Sequence, residues 1–383
     1  MSRISYPILP ILLALLWSCQ GEQAPVVEPI VVPDSPAERG VATGIRTVYA
    51  PGLALEIFYP ASEDSTVSGP AEAIDIRDFV SDEVTALLGS VDLPLMPLQA
   101  RRGVPLRNVD GKLPVVFFSH GFAAFRTQSP DLCDHLASRG YVVVAVDHPG
   151  RMLTDLLPCL FSPALSGCDL AGFGEDNSPR HIRDAVAWLE AEVADEESFL
   201  FDAVDVGTRG IVGHSAGGGT AASMTDGDGF QAQVSMAAGP AMNSSSPSLF
   251  ISGVCDAIVT DAQVQEGWLA SPNADLLRMH GAGHLPFSDL CELDLATFTE
   301  EVLAPRDDIN GLFLGQLEAL GSDGCPGVRP TLDECGEEFA SLEEAQRVIR
   351  HYTTSYLDSL LRDGSSLELM TDAPDAEWVG RAP

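Results

Sequence analysis

The chain has 383 residues, 45% of them hydrophobic, enough to bury one large core. Its formal charge is −35 and Lys112 is the only lysine, an excess of carboxylates that argues against nucleic acid or an anionic membrane surface as a partner. No Cys/His spacing matches a zinc site, so no metal is expected, and there is no internal repeat or second long apolar segment.

Residues 1–19 carry one basic residue and a short apolar run that ends in Leu16-Trp17-Ser18-Cys19. The run is too short for a comfortable membrane span and reads as a secretory signal. Its last four residues resemble a bacterial lipobox, in which Cys19 would be lipidated and become the new N-terminus. A plain signal peptide cut nearby is the alternative. Residues 20–40, rich in Pro, Val and acids, read as an extended tether. A catalytic domain is expected over 41–365 and a C-terminal tail over 366–383.

Residues 61–112 form an insertion, with a short helix expected around 81–88. The run 113–122 is a buried strand that ends in His120-Gly121. Residues 131–140 have helical spacing and a glycine stop, and 141–147 form the next strand. That strand–helix–strand unit implies a parallel, right-handed crossover. Residues 179–192 place Ile182, Ala185, Val186 and Leu189 on one helix face. An apolar strand then enters the pentad Gly213-His214-Ser215-Ala216-Gly217, and a small-residue run follows. Three short apolar runs come next, at 233–238, 249–254 and 276–280. Each is bounded by turn residues, as buried parallel strands are. Residues 301–340 form a second insertion, and Leu342–Leu361 reads as an amphipathic helix packed on the sheet. Both insertions are long enough to border a pocket as lids or binding loops. The fold class is α/β: a mostly parallel sheet flanked by helices.

The pentad is the Gly-x-Ser-x-Gly of a nucleophile elbow, a strained strand-to-helix turn that lifts the serine hydroxyl off the sheet. Ser215 is the expected nucleophile. A serine hydroxyl needs a base near neutrality, and imidazole suits that role. A carboxylate fixes the imidazole tautomer. In open α/β sheets functional groups lie just past the carboxyl ends of strands. Asp256 and His284 both stand there, in the order nucleophile, acid, base. Asp261 and Asp289 are rivals for the acid, and His280 is the rival for the base. The backbone N–H groups of Phe122 and Ala216 are the expected oxyanion donors. The Phe122 side chain would line the acyl pocket. His214 is expected to pack beneath the elbow and to border that pocket. His148 reads as a strand-end turn residue. His135, His181 and His351 lie in helical patterns, solvated or half-buried.

Seven cysteines follow Cys19. In an oxidising compartment close pairs invite disulfides. Cys159–Cys168 and Cys325–Cys335 would each close a short loop. Cys255–Cys291 would tie the acid loop to the base loop. Cys133 reads as a buried thiol.

Several of these stretches together resemble the α/β-hydrolase fold. They are the Leu55-Glu56-Ile57-Phe58-Tyr59-Pro60 run, the Ser119-His120-Gly121-Phe122 turn, the run from Gly140 through Asp147-His148-Pro149-Gly150, the Ser215 pentad, and Gly281-Ala282-Gly283-His284. More narrowly they resemble bacterial dienelactone-hydrolase-like esterases related to platelet-activating-factor acetylhydrolases, with cutinase-like polyester hydrolases as cousins. Dienelactone hydrolases carry a cysteine nucleophile, and Ser215 here argues against dienelactone. The resemblance implies a Ser–His–Asp esterase needing no cofactor. With the signal-like start of the chain, the expectation is an exported serine esterase acting on a small-molecule or lipid ester through an acyl-enzyme. A short-chain esterase or acetylhydrolase leads. A lipase or polyester hydrolase is the alternative, and a non-catalytic surface binding protein of the same fold comes third. A monomer is expected, touching the membrane only through a lipid on Cys19.

Overall fold

The computed structural model describes residues 33–63, 71–80, 94–155, 177–224, 226–239, 246–293, 339–362 and 370–381, together with Val27, Glu28, Ile30, Asp82, Thr85, Ala86, Cys325 and Cys335. Its strands are β1 (Thr43–Ala50), β2 (Leu53–Pro60), β3 (Ala73–Ile74), β4 (Met96–Pro97), β5 (Arg101–Arg102), β6 (Leu113–Ser119), β7 (Val142–Val146), β8 (Val204–His214), β9 (Ala232–Met236), β10 (Ser248–Gly253), β11 (Ala274–Met279) and β12 (Ala376–Arg381). The helices are α1 (Pro130–Ser138), α2 (Ser178–Glu192), α3 (Ala216–Ser223), α4 (Asp261–Leu269) and α5 (Leu342–Leu361).

Ten strands form one sheet in the order β12-β11-β10-β9-β8-β6-β7-β2-β1-β5, while β3 and β4 make a separate ribbon. The strands from β7 through β6, β8, β9 and β10 to β11 are all parallel. Side chains alternate between the two faces of a strand. Along β6, Val116 and Phe118 join a core with Leu132 and Leu136 of α1 and Tyr356 and Leu357 of α5. Val115 and Phe117 face the opposite way, into a core with Ile182, Ala185 and Leu189 of α2. Phe250 and Leu276 pack against Val264 and Trp268 of α4. With helices on both faces, the parallel strands are largely buried, and their carboxyl ends all open on one edge of the sheet. This is the α/β-hydrolase architecture.

Three features depart from the sequence reading. Residues 33–40 lie against the domain and are no free tether. Arg139 Nη1 donates to the carbonyls of Pro33 (2.9 Å) and Ser35 (3.0 Å), and His135 Nε2 donates to that of Pro36 (2.9 Å). The sheet continues into the expected tail, where β12 pairs antiparallel with β11. Only Ala376 and Trp378 of that strand join the core, too few to print a strand pattern on the sequence. Within 61–112, Ile74, Met96, Leu98 and Ala100 are buried in the core, and Phe79 stacks on Phe125 with centroids 4.5 Å apart. The helix expected around 81–88 lies largely outside the described residues. So do Cys19, the Cys159–Cys168 pair and most of 301–340.

Candidate active site

Between β8 and α3, Ser215 holds φ 56° and ψ −124°. Positive φ is costly for a residue with a Cβ and marks a turn over-determined by its surroundings. Those surroundings are visible. The Ser215 N–H donates to the Met236 carbonyl (2.8 Å), and its carbonyl accepts from the Gly219 N–H (3.1 Å). A Cβ on Gly213 would overlap the Gly217 backbone, and one on Gly217 would overlap the Ser119 carbonyl. Only glycine lets the α3 terminus sit this close to β6 and β8.

Asp256 follows the end of β10 and His284 follows β11. Asp256 Oδ2 lies 2.7 Å from His284 Nδ1, with the two residues 1% and 4% exposed. Asp256 Oδ1 accepts from the N–H groups of Ile258 and Val259, both at 2.8 Å. The carboxylate is thus fixed from both sides, and the bond to Nδ1 directs the imidazole Nε2 outward as the basic nitrogen. Backbone bonds stitch the two loops together: Val254 N–H to the Met279 carbonyl (3.0 Å) and Cys255 N–H to the Ala282 carbonyl (2.9 Å). The His284 ring lies 4.7 Å from the ring of His214, the residue before Ser215. Nucleophile, base and acid candidates therefore share one edge of the sheet.

The rivals are engaged elsewhere. Asp261 binds Ser252 Oγ (2.7 Å) and Arg278 (2.7 Å). Asp289 accepts from the Asp131 N–H (2.7 Å) and from Gln346. Burial, then the negative charge of Asp131, pushes the Asp289 carboxyl well above its usual range. His280 is exposed, and its N–H bonds the Asp375 carbonyl (2.8 Å).

The expected oxyanion turn lies against the elbow. A Cβ on Gly121 would stand 3.3 Å from Ser215 Cβ. His120 Nε2 accepts from the His148 N–H (3.1 Å), so its proton is on Nδ1, which donates to the Gly121 carbonyl (2.7 Å). In a trans peptide the N–H points opposite to the carbonyl. Tying the Gly121 carbonyl to His120 therefore aims the Phe122 N–H the other way. The Phe122 side chain is 43% exposed, open to a bound acyl or alcohol group. Behind the turn, Arg151 donates to the His120 carbonyl (2.6 Å), Ser119 Oγ (3.0 Å) and Thr220 Oγ1 (3.1 Å), bracing β6 against α3.

Several expectations need correction. His214, expected to border the acyl pocket, is 2% exposed, and its ring stacks on Phe287 with centroids 6.0 Å apart. Burial holds the imidazoles of His120, His148 and His214 well below their usual range, so all three are neutral. His148 follows the end of β7, as expected, and is a buried partner of Ser119 Oγ (2.8 Å). His135 and His181 are buried as well, while His351 is half-buried as expected. The disulfides join Cys255 to Cys325 and Cys291 to Cys335, not Cys255 to Cys291 or Cys325 to Cys335. The acid and base loops already meet through backbone bonds, and each cysteine instead holds a residue of the 301–340 insertion. Cys133 is a buried free thiol, as expected. Sequence reading missed Gln128 and Arg151, whose roles depend on contacts far along the chain.

Comparison with known proteins agrees with this architecture. Residues 52–153 match the family model of platelet-activating factor acetylhydrolase, isoform II. That match ends before Ser215, Asp256 and His284. The chain is similar to the platelet-activating factor acetylhydrolase of Cavia porcellus, 30% identical over 105 residues. This segment is 24% of the chain, and it spans 23% of that relative's length. Among solved structures the fold is similar to a ferulic acid esterase from Streptomyces cinnamoneus. The TM-score is 0.56 at 20% identity, over 90% of this chain and 98% of the other.

Proposed function

We propose that this chain is an exported serine carboxylic-ester hydrolase that works through an acyl-enzyme on Ser215. The observation that carries the reading is the buried Asp256–His284 pair, 2.7 Å apart, beside a strained Ser215 elbow. His284 Nε2 takes the Ser215 proton as Oγ attacks the ester carbonyl. The oxyanion forms against the Phe122 and Ala216 N–H groups, the latter at the positive end of α3. Asp256 stabilises the imidazolium, which returns the proton to the departing alcohol. Water, activated by His284, then attacks the acyl-enzyme. The acid leaves and Ser215 recovers its proton, so that ester and water give acid and alcohol.

The acetylhydrolase relative favours a short acyl group. An aromatic acyl group is the second reading, favoured by the exposed Phe122 and by the ferulic acid esterase neighbour. Export with a lipid on Cys19 completes the proposal, supported by two disulfides of the kind that persist in oxidising compartments. The test is a panel of p-nitrophenyl esters from acetate to palmitate, with methyl ferulate alongside. Acetate should exceed palmitate in kcat/KM by at least about tenfold, the scale on which pocket fit separates chain lengths. Faster turnover of methyl ferulate would favour the aromatic reading, and no turnover of any ester would refute the activity.

A further inference from the structure

Gln128 lies in the segment between β6 and α1, six residues beyond Phe122, and it is 1% exposed. Its side-chain oxygen accepts the Gly121 N–H at 2.6 Å. Its amide nitrogen meets His214 Nδ1, also at 2.6 Å. The orientation of the amide follows from the partners. A backbone N–H only donates, so the atom facing Gly121 is Oε1 and the one facing His214 is the NH₂. His214 Nδ1 is then an acceptor, and its proton sits on Nε2. The main chain of Gln128 adds a third tie, since its carbonyl accepts the Asp289 N–H at 3.1 Å, five residues past His284. One buried residue thus bonds the oxyanion turn, the residue preceding the nucleophile, and the segment following the base.

We infer that Gln128 is a positioning residue that sets the oxyanion turn in register with the nucleophile elbow. The Gly121 N–H is one end of the residue whose carbonyl His120 holds, so Gln128 and His120 together fix the plane of the Gly121–Phe122 peptide. On the other side, the His214 ring is held by the same amide, and Ser215 is the next residue. Removing the amide frees both ends at once. The cost should fall on the transition state, where the oxyanion must meet its donors, more than on substrate binding, because displacements of about 1 Å in such arrangements cost up to about 100-fold in rate.

The inference rests on the esterase reading for its kinetics, so its test has one arm that does not. Two variants are compared with the wild type, Gln128→Met and Gln128→Glu. Methionine keeps the length and loses both bonds. Glutamate keeps the acceptor for Gly121 and loses the donor to His214. With p-nitrophenyl acetate as probe, Gln128→Met should lower kcat by about 10- to 100-fold while KM stays within about threefold. Gln128→Glu should recover part of that loss. Hydrogen–deuterium exchange of the 119–123 segment, read without any substrate, should speed at the Gly121 amide in Gln128→Met and return toward wild type in Gln128→Glu. Wild-type kcat in Gln128→Met, or a loss confined to KM, would overturn the inference. So would unchanged Gly121 exchange. If Gln128→Met does not fold, the exchange in Gln128→Glu decides: Gly121 should stay protected while the 213–217 segment loosens, and the reverse would overturn the inference. If the wild type itself hydrolyses no ester, the esterase reading fails, and the exchange arm still decides whether Gln128 holds the turn.

Discussion

Gly253 ends β10 directly against Ala282: a Cβ on Gly253 would stand 2.6 Å from the Ala282 carbonyl oxygen and 2.8 Å from that of Gly283. Backbone oxygens cannot move aside as a flexible side chain can. The loop of Asp256 and the loop of His284 are therefore brought together by the absence of a side chain. Gly253→Ala should push them apart and weaken the 2.7 Å bond between acid and base. The expected result is a folded protein with kcat lowered by about 10-fold or more, since orientation of the imidazole depends on that bond. Steady-state kinetics beside circular dichroism checks it, and full activity in a folded variant would contradict it.

Asp256→Asn should lose about 10³- to 10⁴-fold in kcat, because an amide cannot hold His284 in the tautomer that leaves Nε2 basic. Asp289→Asn should keep activity within about threefold, its partners being Asp131 and Gln346 rather than the base. The opposite ranking would move the acid to Asp289.

Peptide mapping without reduction should recover Cys255 joined to Cys325 and Cys291 joined to Cys335. The bonds close loops of sequence separation 70 and 44, so each should add roughly 2–4 kcal/mol when unstrained. Cys325→Ser and Cys335→Ser should each lower Tm, the first also reducing activity on heating because Cys255 adjoins Asp256. Recovery of a Cys255–Cys291 peptide would refute the pairing.

Stability should fall on mild acidification, above the range in which carboxylates titrate. Burial, then the charges of Arg350 and Arg39, lowers His135 from its usual 6.5 to about 3. His120, His148 and His214 are depressed by burial too. The unfolded chain binds these protons near pH 6.5 and the native chain refuses them. The stability from the depressed groups is thus full above about pH 6.5 and is lost as pH falls toward their folded-state values. Each such histidine adds a slope of up to about 1.4 kcal/mol per pH unit. Urea unfolding at pH 7 and pH 5, disulfides intact, should show the loss, and His135→Gln should reduce it. Equal stability at the two pH values would contradict the assignment.

The elbow and the candidate acid and base were legible because each follows an apolar strand and has a glycine within three residues before it, which are local signals. The order Ser215, Asp256, His284 needed only the chain direction. What escaped was set by contacts distant in sequence. Gln128 looks like any polar residue before a helix until Gly121 and His214 close on it. The partners of Cys255 and Cys291 lie 70 and 44 residues further along the chain, beyond the reach of any local signal. His135, His181 and His351 read as solvated or half-buried from their helical spacing, yet His135 and His181 are buried, because spacing records the face and not what covers it. The strand β12 contributes two core side chains, too few to alternate visibly.

The central claim is that Ser215 is the acyl-accepting nucleophile. Its most direct test is mass spectrometry of the intact protein after exposure to a fluorophosphonate, followed by peptide mapping, with Ser215→Ala as control. The account predicts one adduct per chain, on the peptide containing Ser215, slowed in His284→Ala and absent in Ser215→Ala, which should also lose at least about 10⁴-fold of ester turnover. An adduct on another residue, or folded Ser215→Ala protein that hydrolyses esters at the wild-type rate, would contradict it.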